Sequence, residues 1–144
     1  DALPICNKIQ GQFTSANCGI AQRAAYTALT TDLGPSHEMA AEYLRRRGLV
    51  KELLDSIPGV KTNLPQGAFY FFPDVSAYYG KSDGETTINN ASDLCLYILD
   101  NAHVSLVTGE AFGDPTSIRL SYAASEEDLR EAVKRIKETL SKLS

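Results

Sequence analysis

The stretch "SIRLSYAAS", residues 117–125, decides how this chain folds. Ile118, Leu120 and Tyr122 alternate with Ser117, Arg119 and Ser121, the period of a half-buried β-strand. A guanidinium sits in the middle of that strand, on a face otherwise lined by small hydroxyls. A water-facing sheet edge would tolerate it, whereas a pocket that holds a carboxylate would require it. The position of the strand within its sheet separates the two.

The neighbouring segments supply that position. "GAFYFFPDVS", residues 67–76, reads as a strand apolar on both faces, with Ala68, Tyr70 and Phe72 one way and Phe69 and Phe71 the other. "YYGKSDGETTINN", residues 78–90, reads as a polar, mobile loop. A helix is predicted over about residues 91–101, with Ala91, Leu94, Cys95, Ile98 and Leu99 on its apolar side. "HVSLVTGEAFGDP" gives a strand ending near Thr108, then a glycine-containing loop and the turn signal Asp114-Pro115. After the Arg119 strand, Ser125 and Asp128 suit a capping box. Leu129, Val133, Ile136, Leu140 and Leu143 follow at spacings of four, three, four and three, one clean helical stripe. The order β-α-β-β-α predicts an α/β (α+β) fold. Its sheet is of split-βαβ type with about three strands and helices on one face. The last strand slots between the first two and runs antiparallel to them, so Arg119 lies on a central strand and faces away from the helices.

Two helices precede this unit. Residues 19–30 carry Ile20, Ala24, Ala28, Ala21 and Ala25 at helical spacing, a face that permits close backbone approach. Residues 36–57 form the longest helix, capped by Ser36 after Pro35 and ended by Pro58-Gly59. Its apolar side is Met39, Tyr43, Leu44, Val50, Leu53, Leu54 and Ile57, and Gly48 marks a possible bend. The residues between 7 and 17 read as polar and irregular. Arg45, Arg46 and Arg47 suggest an anion site, but three consecutive helical residues point three ways, so they read as a solvated face.

Composition narrows the function classes. The 144 residues hold 14 basic and 18 acidic side chains, a net charge of -4, which argues against nucleic acid. No apolar run approaches the roughly 20 residues of a membrane span. "DALPICNKIQ" lacks the pattern of a signal peptide, and no Met begins the chain, so a piece of a longer polypeptide is expected. Cys6, Cys18 and Cys95 are an odd, widely spaced set, read as reduced structural thiols of a cytoplasmic protein. With only His37 and His103 besides, no metal site is expected.

Four segments carry a resemblance: "TSANCGIAQRAA", "PQGAFYFFPDVS", "VTGEAFG" and "SIRLSYAASEEDLREAVKRI". In this order they resemble the C-terminal portion of class I/II aminotransferases of the aspartate aminotransferase type, fold-type-I pyridoxal-phosphate enzymes. The resemblance implies that residues 1–34 are the tail of a large cofactor-binding domain, 35–57 a connecting helix and 58–144 a small C-terminal domain. It implies that Arg119 grips the α-carboxylate of amino-acid and 2-oxo-acid substrates, and that the parent is a homodimer. The family's Schiff-base lysine, in a Ser-Lys motif, and its phosphate-binding arginine lie upstream of the matching segments. No catalytic, cofactor-binding or metal residue is therefore assigned in this chain. Pyridoxal 5'-phosphate is expected in the parent and not on the fragment, which is expected to be inactive alone.

Weaker candidates accompany Arg119. By resemblance, Thr14 and Ser15 approach a neighbouring subunit's active site, but helix capping ahead of residue 19 is the favoured role. Tyr70 could turn its hydroxyl to the cofactor, but core packing is favoured. Gly109 and Gly113 flank Phe112 in a loop that either lines the substrate mouth or answers turn geometry. A lyase or synthase on the same cofactor, and a free-standing non-catalytic ligand-binding module, are the alternatives.

Overall fold

A computed structural model of the chain describes residues 2–14 and 17–144. It divides into two compact units, Asp1–His37 and Glu38–Ser144. The first unit is helical: α1 spans Leu3–Phe13 and α2 spans Gly19–Thr30. Helix α1 corrects the expectation of an irregular segment. Pro4 sits in its first turn, where a missing N–H is tolerated, and Ile5, Ile9 and Phe13 recur every fourth residue. No residue of α1 or α2 is buried, and Leu3, Ile5, Ile9, Phe13, Ile20 and Leu29 all stand exposed.

Helix α3, Gly34–Asp55, begins two residues earlier than the sequence suggests and ends two earlier. Pro35 lies within its first turn instead of preceding it. The Asp32 carboxylate, not Ser36, serves its start by accepting the Gly34 N–H at 3.0 Å. The helix runs through Gly48 without interruption. Val50, Leu54 and the following Ile57 are buried, and Tyr43 and Leu53 pack on the core. Met39 and Leu44, expected on the apolar side, are exposed.

In the second unit, β1 (Tyr70–Phe71), β2 (Val107–Thr108) and β3 (Ile118–Ser121) form a sheet of order β1-β3-β2. Strand β3 is antiparallel to both neighbours, so β1 and β2 run the same way with β3 between them. This is the split-βαβ arrangement read from the sequence. Helix α4 (Ala91–Ala102) joins β1 to β2, and α5 (Glu126–Leu140) follows β3. The caps are side chains: Asn90 accepts the Asp93 N–H at 2.9 Å, and Ser125 accepts the Asp128 N–H at 3.1 Å. All five residues of the stripe from Leu129 to Leu143 are buried, with Phe71, Ile118, Leu120, Leu94, Ile98, Val50 and Leu54.

Three further expectations are corrected. The strand proposed over residues 67–76 is shortened to Tyr70–Phe71, with Asp74 bridging Lys61 and Ser117 beyond it. Ala68 takes a left-handed φ of 59°, held by the Tyr122 hydroxyl donating to its carbonyl at 2.8 Å, and so breaks the extended run. Phe69 still accepts the Tyr122 N–H through its carbonyl at 2.9 Å, and its ring stacks on Tyr43 at 6.0 Å. The 78–90 loop is tied down instead of loose: Ile88 is fully buried, and the Asp83 carboxylate accepts the Glu85 and Thr86 N–H groups and the Tyr97 hydroxyl. Of the thiols only Cys95 is buried, with its pKa pushed up to about 11 by burial, while Cys6 and Cys18 are exposed and have no packing role.

Leu99 marks a boundary that periodicity blurs, because it is 42% exposed while its neighbour Ile98 is fully buried. Ile98→Ala should lower the unfolding free energy by about 2–5 kcal/mol, and Leu99→Ala by clearly less. Denaturant midpoints of the two variants check this, and equal losses would contradict the packing described.

Candidate functional site

Ile118 and Leu120 enter the core, so the pleat turns Arg119 to the other face of the sheet, where it is half-buried. Its Cα partner is Val107 on β2, and Tyr70 on β1 is partnered by Ser121 two residues on, so Tyr70 shares the face of Arg119. The Arg119 guanidinium carbon lies 4.5 Å from the centre of the Tyr70 ring and 4.5 Å from that of Phe112. Both distances fall within cation–π range. The rings are themselves supported. Phe72 meets Phe112 edge-on at 6.2 Å, and Phe69 packs on Tyr70 at 4.5 Å. Among the described residues no carboxylate pairs with Arg119 and its guanidinium donates no hydrogen bond. A positive fork is thus held by aromatic faces with its N–H donors unspent.

The loop that delivers Phe112 is fixed to the foot of β3. A 3-10 turn, Gly109–Phe112, follows β2. The Gly109 N–H donates to the Ser117 carbonyl at 2.8 Å and its carbonyl accepts from the Asp114 N–H at 3.1 Å. A side chain at residue 109 has no room: its Cβ would lie 2.3 Å from the Ser117 oxygen and 2.4 Å from the Asp114 oxygen. Gly113 closes the turn at a φ of 84°, which glycine adopts freely. The turn-geometry reading of both glycines therefore holds. Asp114 accepts from the Thr116 N–H and hydroxyl and from the Ser117 hydroxyl, and these bonds hold its carboxyl below the usual range. The Asp114 carboxylate is thus spent on the turn.

The other candidates fare differently. Tyr70 is no core residue, since its ring serves Arg119. Thr14 does not cap α2 but closes α1, its hydroxyl donating to the Gln10 carbonyl at 2.6 Å. Ser15 lies outside the described residues. The Cys18 side chain stands at the start of α2, where the Ala21 and Ile20 N–H groups lower its pKa. The aromatic setting of Arg119 escaped sequence reasoning. Its two rings, Tyr70 and Phe112, lie far apart along the chain and no local pattern links them.

The pyridoxal phosphate that the resemblance implies needs an amine to hold its aldehyde and donors for its phosphate. The groups touching Arg119 are aromatic rings, and no lysine amine is among them. This face does not fit that cofactor, and no step is routed through it.

The profile described as Aminotransferase class I and II matches residues 2–136. The chain belongs to that family. It is 48% identical over 142 residues to the bifunctional aspartate aminotransferase and glutamate/aspartate-prephenate aminotransferase of Petunia hybrida, covering 96% of this chain and 30% of that protein. It is 42% identical over 139 residues to the aspartate aminotransferase of Pinus pinaster, covering 94% of this chain and 28% of that protein. The crystal structure of the Rhizobium meliloti aspartate aminotransferase superposes with a TM-score of 0.89 at 38% identity, over 94% of this chain and 34% of that one. The chain thus spans about 30% of the length of the curated relatives it matches.

In this class I and II aminotransferase chain, the Arg45-Arg46-Arg47 run is not a merely solvated face. Arg45 bridges Glu42 and Glu126; Arg46 donates to Glu42 at 2.8 Å and to the Ala124 carbonyl at 2.7 Å; Arg47 donates to the Pro65 carbonyl at 2.8 Å. Helix α3 is thereby fastened to the segments that flank β1 and follow β3. Hydrogen bonds from Arg45 and Arg46 hold the Glu42 carboxyl at about 2, below its ordinary 4.5. A depressed carboxyl contributes stability that is complete above the unfolded value and lost as pH falls through the folded one. The stability gap between the wild type and Glu42→Gln should therefore be constant above about pH 5 and close as pH falls towards about 2. Thermal melts across that range read it, and a gap indifferent to acid would show that the bridge contributes nothing.

Proposed function

We propose that this chain is the C-terminal part of an amino-acid aminotransferase of the aspartate:2-oxoglutarate type, and that Arg119 is its α-carboxylate clamp. The observation that carries this is the unpaired Arg119 guanidinium on the central strand, held between aromatic contacts in a chain of this family. A planar fork donates two parallel N–H···O bonds to a carboxylate, which a lysine does not reproduce. Amino acids and 2-oxo acids share that carboxylate, so one clamp serves both half-reactions. Fixing it orients the substrate about its Cα, the atom at which the amino group is exchanged.

The bare apolar faces of α1 and α2, together with relatives of which the chain spans about 30%, support a longer polypeptide. In it, residues 1–34 would close a large domain that binds pyridoxal 5'-phosphate, 35–57 would connect, and 58–144 would form the small domain. The parent would be a cytoplasmic homodimer. The amine that holds the cofactor would come from outside these residues, so the chain alone is inactive.

In the full-length protein, Arg119→Gln should lower kcat/KM by about 10- to 150-fold, the loss of one or two charged hydrogen bonds. The loss should be similar for the amino-acid donor and the 2-oxo-acid acceptor. Steady-state assays with aspartate and 2-oxoglutarate measure it. Unchanged kinetics would remove the clamp, and formation of products other than the exchanged pair would favour a lyase or synthase.

A further inference from the structure

We infer that Phe112 and Tyr70 are positioning residues for substrate binding, setting the plane and direction of the Arg119 guanidinium; this rests on the clamp proposed above. An arginine side chain has several rotatable bonds and, without a carboxylate partner, would sample many directions before substrate arrives. Here two ring contacts at 4.5 Å each replace that partner. A carboxylate in their place would hold the fork equally well but would compete for the very N–H groups the substrate needs. An aromatic ring attracts the cation through its π-face and leaves the in-plane donors free. Preorganisation is therefore achieved without occupying the binding edge.

Phe112 takes no part in the hydrophobic core. It is 52% exposed, large and apolar, and stands at the end of the turn that Gly109 locks onto Ser117, two residues before Arg119. Phe72, meeting it at 88°, holds the ring upright. Tyr70 is similarly backed by Phe69. The rings thus form one line of contact, Tyr43–Phe69–Tyr70–Arg119–Phe112–Phe72, that runs from α3 across the sheet face to the turn after β2 and back to the residue following β1. Because the α-carboxylate is common to every amino and oxo acid, these rings govern affinity for all substrates alike and do not select among side chains.

The test uses the full-length protein with Phe112→Leu, Phe112→Trp, Arg119→Gln and the Phe112→Leu/Arg119→Gln pair. Phe112→Leu keeps apolar bulk but removes the π-face. It should raise KM by about 3- to 30-fold, by the same factor for donor and acceptor, at little change in kcat or melting temperature. Phe112→Trp should restore the wild-type KM. On the Arg119→Gln background, Phe112→Leu should add little, since the cation it orients is gone. A normal KM in Phe112→Leu, or a full additive loss in the double variant, overturns the positioning role while leaving the clamp standing. If Arg119→Gln itself leaves KM unchanged, the clamp fails and the positioning role fails with it.

Discussion

The pleat of one four-residue strand governs everything that follows from it. Ile118 and Leu120 are drawn into a core shared with α4 and α5, and a pleated backbone must then send Arg119 the other way. Because β3 is paired on both sides, that direction is not adjustable: a slip of one residue would bury the guanidinium and expose two large aliphatics. The core thus aims the cation, and the hydrophobic effect on one face of the sheet sets the chemistry available on the other. The capping of α5 by Ser125 and the burial of its full stripe hold the face in place from behind.

What could be read from residues alone follows the strength of the local pattern. The α5 stripe, the Ser125–Asp128 cap, α2 and the central place of β3 were legible because spacing, capping chemistry and short connections agreed. The family of the chain was legible from four motifs in register. The failures have physical causes. Helix α1 was hidden because its stripe is short and its segment also contains Asn, Gln and Gly, which read as loop. Met39, Leu44 and Leu99 fit helical periodicity yet are exposed, because burial depends on what packs opposite and not on spacing. The break at Ala68 was invisible, since a left-handed alanine is imposed from a distance by the Tyr122 hydroxyl. The arginine run was underestimated for the same reason: Glu126, Ala124 and Pro65 lie far from it along the chain.

The site itself was half legible. Arg119 could be singled out by being a cation in a strand whose other face is aliphatic. Its aromatic companions come from two separate segments, one of them an exposed loop, and only the fold joins them. The two units also differ in kind. The second carries a continuous core, whereas the helices α1 and α2 of the first bury no residue. Amphipathic helices of that sort draw their stability from what covers them.

Gly109 shows how tightly this arrangement limits change. Two backbone oxygens already fill the volume a side chain would take, so the turn and the strand foot behave as a single moulded piece. The turn cannot lengthen or tilt on its own; the strand bearing the cation would be dragged along.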